Sequence, residues 1–464
     1  MRVLLERLDR LEEAQAPRVT PAVASVPAFT AQDGEKEITL PARPEIQTER
    51  GSILEAAGLP RAEIFGARIG GFFVGSFNYN SHIQMVPELA GGAPALADAR
   101  RSNFRFDKFG LGVSKTFAPW LSASASIEVE SHRDSHTHLI SAADADRRGC
   151  PVGLACERFG AEEAEIEVLL DKFAITAIAP LGNGLSLSLG RYDVPFGIER
   201  HDEPLLLTAT TSEVFRYGRP NRMTGFQTTY TFAPWLDVSG WVVNRWEAET
   251  THDDFNDNNR GKSFGGRIGL TPITRGTPLN VGIGGFYGPE QDEVSGNKRW
   301  VVDLDVTWTP IRELLLAGEF VYGQEDDMEL RERGTPFASP ERITDVSWMG
   351  FYLLGHYDLY DWLGLSLRYG LFRDSDGGRT GVKQTLQSWT LAPIVHLSRL
   401  IPELRPMGAA YARTRHPIDW LDLKLEYRLN HSNERVFSVA EPGTAILDAD
   451  STSHQFQTQI VVNY

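Results

Sequence analysis

Apolar and polar residues alternate along most of the chain after about residue 64. Clear examples are LSASASIEVE at 121–130, RWVVDLDVTW at 299–308 and LDLKLEYRLN at 421–430. Because successive side chains of a β-strand point to opposite faces, each segment would present one apolar face and one face rich in serine or charge. The pattern therefore predicts strands with two unlike surfaces.

About sixteen segments carry this pattern, and an even number is expected when antiparallel strands close into a bacterial outer-membrane barrel. The predicted strands are 64–79, 104–117, 121–132, 162–179, 185–194, 223–232, 236–246, 262–272, 279–287, 298–309, 314–324, 345–358, 363–372, 384–396, 420–431 and 453–464. The alternation breaks partway through 162–179, 236–246 and 345–358, which a β-bulge would explain. The expected fold is all-β, a transmembrane antiparallel barrel.

The connections between the predicted strands alternate in length. Short turns, beginning with FAPWL, PLGNGL and a second FAPWL, alternate with long polar connections at 80–103, 133–161, 195–222, 247–261 and 325–344. Outer-membrane barrels have short periplasmic turns and long extracellular loops. The connection lengths therefore predict that the end with short turns faces the periplasm and the end with long loops faces the exterior. Only the stretch 397–419 is longer than the turn expected at its position.

The hexapeptide TFAPWL occurs twice, at 116–121 and 231–236, each time at a predicted short turn. Proline cannot donate a hydrogen bond to a strand ladder, so Pro119 and Pro234 fit the turns themselves. The tryptophan that follows each proline fits the boundary between lipid headgroups and hydrocarbon. The repeat supports a barrel in the outer membrane, with lipid as an expected partner.

The last strand, HQFQTQIVVNY, alternates to the carboxyl terminus. It should pair with the first strand, because an open sheet edge in lipid would leave backbone groups without hydrogen bonds. A terminal aromatic also resembles the signal that the barrel assembly machinery reads. This resemblance implies that the machinery is a partner and that the assembly signal consists of Phe456, Ile460, Val462 and Tyr464.

The amino-terminal region lacks the strand pattern. Residues 1–16 place apolar side chains at heptad spacing, which predicts a short amphipathic helix that either frays or joins a coiled coil. Residues 17–60 are proline-rich and suit a periplasmic tether, and 61–464 form the predicted barrel. No export signal, in which charged residues precede an apolar run, is readable before this helix. If the protein is exported, we expect its targeting sequence to be missing here, either because this is the mature form or because the start of the sequence was assigned too late.

Composition narrows the function. The 464 residues carry a formal net charge of -16, which argues against nucleic acid as a partner. No run of about 18 apolar residues predicts a membrane helix. The chain has no nucleophile elbow, metalloprotease helix, phosphate loop or dinucleotide fingerprint, so neither an enzyme nor a cofactor is expected.

Three stretches suggest a family. LGNGLSLSLGRYDVPFGIERHDEP at 181–204, RMTGFQTTYTFAPWLDVSGWVVNRW at 222–246 and DNNRGKSFGGRIGLTP at 257–272 resemble the OmpL-like β-barrel porins. The first stretch also resembles the phosphate-selective O/P-type porins. The likeness spans roughly 180–325, and it implies a general diffusion channel for small hydrophilic solutes and ions.

Charged residues on the polar strand faces are the predicted pore lining. They are Glu128, Glu130, Arg267, Arg299, Asp303, Asp305, Glu319, Arg368, Asp422, Lys424, Glu426 and Arg428. The connection 195–222 could fold inward as a constriction, and its basic residues are Arg200, Arg216, Arg219 and Arg222. Acidic residues slightly outnumber basic ones in the lining, which predicts a weak cation preference.

Two alternatives to a weakly cation-preferring porin stay open at this point. One is an anion- or phosphate-selective porin, and the other is a barrel that anchors or sheathes a partner protein. In either case the barrel could form a homo-oligomer such as a trimer.

The predicted external loops hold the remaining candidate chemistry. Cys150 and Cys156 are the only cysteines, and an oxidising exterior predicts a disulfide between them. The histidines of HRDSHTH at 132–138 are better explained by a solvated loop than by metal binding. DDFNDNNRG at 253–261 lacks the glutamate that closes a calcium loop. We therefore predict no metal site.

Overall fold

The computed structural model describes residues 62–64, 66–81, 83–84, 102–132, 165–247, 256–272, 277–330, 342–404, 419–439 and 448–463. These residues form a closed antiparallel barrel of sixteen strands. The strands are β1 Ala67–Asn80, β2 Ser102–Ala118, β3 Leu121–His132, β4 Glu165–Ala179, β5 Leu185–Asp193, β6 Arg222–Ala233, β7 Leu236–Val243, β8 Ser263–Leu270, β9 Leu279–Gly288, β10 Arg299–Ile311, β11 Leu314–Leu330, β12 Arg342–Tyr360, β13 Leu363–Asp374, β14 Gln384–His396, β15 Leu421–Ser432 and β16 Thr452–Asn463.

The first and last strands close the barrel. Strand β1 pairs with β16 on one side, where Val74 is opposite Val461, and with β2 on the other side. Every long strand therefore has two neighbours, which leaves no open edge to face lipid. The predicted all-β barrel is confirmed, whereas Tyr464 lies outside the described residues.

The two ends of the barrel differ as the connection lengths predict. In both copies of TFAPWL the strands meet across two residues, with Ala118 paired to Leu121 and Ala233 paired to Leu236. The connection after β14 instead begins with the helices Leu397–Leu400 and Pro402–Leu404. At its other end Asp419 accepts a hydrogen bond of 2.6 Å from Arg399.

The opposite end carries the long connections and a small second sheet. This sheet has three strands, Ile83–Gln84, Phe437–Val439 and Asp448–Asp450. At the other end, with the short turns, a further strand, Ala62–Ile64, pairs with the start of β1. The predicted helix 1–16 and tether 17–60 lie outside the described residues and stay predictions.

The outer face of the barrel is apolar and the inner face carries charge. On β10, Val302 and Leu304 are exposed, while Asp303 and Asp305 between them are buried. The alternation in the sequence thus corresponds to lipid outside and the barrel interior inside. Among the described residues, no helix has the length and apolar character needed to cross a membrane.

The three breaks in alternation have two different causes. In β4 the pairing with β3 shifts at Asp171, so the predicted bulge in 162–179 is present. In β7 and in the central part of β12 the pairing is continuous, so a bulge does not explain the break in alternation there. Trp241 and Trp348 face inward there and pack in an apolar cluster, so apolar residues occupy both faces.

The connection between β5 and β6, residues 194–221, folds into the barrel. It contains a turn of 3-10 helix at Glu203–Leu205 and a π-helical turn at Val214–Gly218. Most of its side chains are buried, including Phe196 and Phe215. We call this segment the inward loop.

Candidate functional site

The inward loop enters the barrel over β9, β10 and β11. Phe196 packs directly on Gly284, where an added Cβ would lie 2.8 Å from the Phe196 Cβ. Gly197 has φ +76° and lies against the Arg219 guanidinium, so glycine is required by both conformation and space. The next amide, of Ile198, donates a hydrogen bond of 2.8 Å to Glu319.

Glu319 is the centre of this first attachment. Besides Ile198, it accepts hydrogen bonds from Arg219 Nε at 2.6 Å and from the Tyr352 hydroxyl at 3.0 Å. Trp348 on β12 adds a hydrogen bond of 2.9 Å from its indole nitrogen to the Gly218 carbonyl. Both ends of the inward loop are thus joined to one part of the wall.

Basic side chains from β13 and β15 hold the middle of the loop. Arg368 donates to Glu199 at 2.6 Å, and Arg428 forms an ion pair with Glu213. Burial acts to raise the pKa of the Glu213 carboxyl, but Arg428 and Arg368 outweigh it and hold that pKa below its ordinary value. Lys424 donates hydrogen bonds of 2.7 Å to the carbonyls of Glu203 and Leu206.

Acidic and hydroxyl groups complete this attachment. Glu426 accepts hydrogen bonds from the amide of Ala209 at 2.7 Å and from the hydroxyl of Thr210 at 2.6 Å. Ser388 on β14 donates to Glu213 at 2.8 Å. The loop therefore spans the barrel from β5 to the wall formed by β13, β14 and β15.

A dense ionic cluster joins the loop to β2, β3 and β4. Lys108 lies 2.7 Å from Glu130, 3.3 Å from Glu128 and 3.5 Å from Glu203 of the loop. His201 of the loop is 3.3 Å from Glu128. Burial raises the pKa of Glu203 to about 7, against the opposing influence of Lys108 and His201.

Two sets of side chains in this cluster have metal-ligand spacing, namely Glu128 with Glu130 and His201, and Glu128 with Asp171 and Asp202. Lys108 and Arg222 already lie against these carboxylates and supply positive charge. A metal ion would have to displace them, so the geometry fits an ionic network better than a metal site.

The predicted lining residues all lie on the inner face. Eleven are buried, namely Glu128, Glu130, Arg267, Asp303, Asp305, Glu319, Arg368, Asp422, Lys424, Glu426 and Arg428. Arg299 is partly buried and pairs with Glu325 at 2.8 Å. Within the set, Arg267 pairs with Asp305 at 3.2 Å. Many of these charges therefore bind neighbours or the loop.

The four predicted loop arginines have separate environments. Arg200 donates to carbonyls at the start of the loop, and Arg219 pairs with Glu319. Arg222 is the first residue of β6 and reaches Glu128 at 2.9 Å. Arg216 is exposed and lies over the Tyr217 ring.

Sequence reasoning missed Lys108 and Asp171, which belong to the ionic cluster. The β1–β2 pairing shifts at Asp107, as the β3–β4 pairing does at Asp171. Such a shift reverses which residues face inward, so a strict period of two misassigns them. Two adjacent opposite charges inside an apolar strand, as in Asp171 and Lys172, were the available signal.

The remaining predicted residues lie partly outside the described chain. Cys150, Cys156 and Tyr464 are not among the described residues, so the disulfide and the terminal aromatic stay predictions. Phe456 and Ile460 of the predicted assembly signal are exposed on the outer face, and Val462 shares their parity.

Comparisons with known proteins agree with the barrel. The family model described as "Putative beta-barrel porin-2, OmpL-like" matches residues 163–462. The outer membrane channel DcaP of Acinetobacter baumannii is similar in structure, with a TM-score of 0.51 and 11% identity over 88% of this chain and 100% of that chain. An anion-selective porin from Comamonas acidovorans has a TM-score of 0.48 and 10% identity over 86% and 99%. No curated protein matches the sequence.

At this identity the DcaP structure supports the fold alone, and the family match supports the class of protein. The closed barrel, its apolar exterior and its charged interior fit a channel for passive diffusion across the bacterial outer membrane rather than an enzyme. The chain belongs to the OmpL-like β-barrel porin-2 family.

Proposed function

We propose that the inward loop forms the constriction of this diffusion channel and that small hydrophilic solutes and ions pass beside it with a weak preference for cations. The observation that carries the proposal is the attachment of the loop to opposite walls, through Glu128 on β3 and Glu319 on β11. A segment held on both sides of a barrel narrows the space left for solutes.

The charge of the interior supports a weak cation preference. Among the buried side chains that the structure describes, Asp and Glu outnumber Lys and Arg. Arg368, Arg428 and Lys424 are engaged with the loop, which reduces what they offer to a passing anion. Charges that face water are screened beyond about 8 Å at physiological salt, so the preference should be modest.

The alternative functions receive less support. A barrel that sheathes a partner protein needs interior space, and the inward loop already occupies part of it. A phosphate-selective channel would need basic side chains directed to the solute, whereas most of the interior arginines described above have carboxylate partners. Trimer formation and recognition by the assembly machinery remain predictions from the sequence.

The test is ion selectivity in planar bilayers under a salt gradient. Arg216→Glu should increase cation preference, because this exposed loop side chain would lie beside the conduction path. Arg373→Glu is the matched control, since Arg373 is exposed at the end of β13 on the outer face. Equal shifts in both variants would contradict the constriction, and a strongly anion-selective wild type would contradict the cation preference.

A further inference from the structure

Asp303 and Asp305 share the inner face of β10 but have different partners. Asp305 pairs with Arg267 at 3.2 Å and also accepts a hydrogen bond from the Gly197 amide. Asp303 is only 2% exposed, and neither of its carboxylate oxygens has a hydrogen-bond partner among the described residues. An isolated buried carboxylate is costly, so the environment of Asp303 needs an explanation.

The neighbours of Asp303 on the adjacent strands are apolar. It is paired with Gly284 of β9, which Phe196 covers, and with Val321 of β11, which is fully buried. Charged and titratable groups surround the place where the inward loop meets β9, β10 and β11. They are Asp305, Glu319, Arg219, Arg200, Arg267 and Tyr352. Two of them, Asp305 and Glu319, are carboxylates whose negative charges act on Asp303.

The nearby arginines already have acceptors. Arg219 donates to Glu319, to the Pro220 carbonyl and to the Glu199 carbonyl. Arg267 is shared by Asp305 and Asp237. An ionised Asp303 would therefore be a third carboxylate in a group whose cations are committed, and like charges at such distances disfavour ionisation.

Glu319 has room for one more donor. A carboxylate can accept about four hydrogen bonds, and Glu319 accepts three: one from Arg219 on Oε1, and those from Ile198 and Tyr352 on Oε2. The remaining acceptor site is on Oε1. The register places Glu319 diagonally across from Asp303 on the same face, within reach of its carboxyl group.

We propose that Asp303 holds a proton at neutral pH and donates its carboxyl O–H to Glu319. The proton neutralises the buried group without requiring the volume that a metal ion needs. The resulting hydrogen bond fixes the position of the Glu319 carboxylate, which holds both ends of the inward loop. Loss of the proton to bulk water would place three carboxylates together beneath Phe196 and Arg219, and would loosen this attachment.

Infrared spectroscopy tests the proton directly. Protein labelled with ¹³C in the aspartate carboxyl groups and folded in vesicles at neutral pH should show a labelled carboxylic acid band. Asp303→Asn should lack that band, and Asp305→Asn, the matched control two residues away on the same face, should retain it. A folded wild type without the band would overturn the proposal, even if neither variant folded.

The pH dependence of unfolding provides a second readout. If the folded state holds a proton that unfolded aspartate releases, the unfolding constant should rise by up to tenfold per pH unit above the range where free aspartate ionises. Asp303→Asn should lack this component, whereas Asp305→Asn should keep it. Equal slopes in wild type and Asp303→Asn would overturn the proposal.

A bound cation is the competing explanation, and unfolding measured at fixed pH with varied Na⁺ or Ca²⁺ separates the two. A stability that depends on Na⁺ or Ca²⁺ at fixed pH, and loses this dependence in Asp303→Asn, would assign a metal ion and overturn the proton. Neither spectroscopy nor unfolding measures ion flow. The outcome therefore stands independently of whether the inward loop proves to be the constriction.

Discussion

Two walls of the barrel hold the inward loop in different ways. The wall of β2, β3 and β4, the ionic wall, holds it through ion pairs, whereas the wall of β11, β12 and β13, the apolar wall, adds an apolar cluster. On the first wall, Lys108 and Glu128 meet His201 and Glu203 in ion pairs. On the second, the apolar cluster of the loop and the wall includes Val214, Val321, Trp348 and Phe372. The second wall also holds the loop through Glu319 and Arg368, so it combines ion pairs with apolar packing.

The two forces differ in what they contribute. Apolar packing stabilises through buried area and is insensitive to pH. A buried ion pair gains little net energy because desolvation offsets attraction, but removing one partner leaves an unpaired charge and is costly. We infer that the apolar cluster supplies most of the attachment and that the ion pairs on both walls make it sensitive to charge.

The largest expected effect comes from breaking the ionic wall. Lys108→Met should lower the free energy of unfolding by about 3–5 kcal/mol, because Glu128 and Glu130 would lose their shared cation. The loop would also lose its contact between Glu203 and this wall, and single-channel conductance should rise. Urea unfolding in vesicles and bilayer recordings measure the two effects.

The control for this variant is on the same strand. Lys115 lies on the outer face of β2 near Phe117, so Lys115→Met should change the free energy of unfolding by no more than about 0.5 kcal/mol. If the two variants lost the same stability, the ionic cluster would not be what holds the loop to this wall.

A smaller effect is expected on the apolar wall. Trp348→Phe keeps an aromatic ring but removes the hydrogen bond to the Gly218 carbonyl, leaving a buried acceptor unsatisfied at a cost of about 1–3 kcal/mol. Trp389→Phe is the control, because Trp389 is exposed on the outer face. An equal change in the two variants would show that the hydrogen bond from Trp348 to the loop contributes no stability.

Much of the barrel could be predicted from residue alternation. The strand number, the closure of the last strand on the first and the inward direction of Asp303 and Asp305 all follow from a period of two and from the backbone's need for partners in lipid. The inward fold of the loop was a hypothesis based on its length and charges. These features depend on local sequence or on a general physical constraint.

The parts that could not be predicted depend on distant contacts. Trp241 and Trp348 interrupted the expected polar face because the inward loop packs on them, and alternation does not reveal that contact. Lys108 was missed because a bulge reverses its direction. The pairing of Arg368 with Glu199 joins residues 169 positions apart, and alternation carries no information about such partners.

The smallest expected effect concerns the titration of the ionic wall. Glu203 lies in the inward loop, outside the membrane-spanning strands, and burial raises its pKa to about 7 although Lys108 and His201 favour its charged form. Because this pKa lies above that of an unfolded glutamate, the stability that Glu203 contributes is present at low pH and is lost as the pH rises through about 7. Over the same range the lining gains one negative charge.

Cation preference should therefore increase modestly between about pH 6 and about pH 8, as measured by reversal potentials under a salt gradient. Glu203→Gln should remove this component, while Glu403→Gln, an exposed glutamate on the connection after β14, should leave it unchanged. A pH-dependent shift of equal size in wild type and Glu203→Gln would assign the titration to another group. In that case the ionic wall would fix the position of the loop without making the channel respond to pH near neutrality.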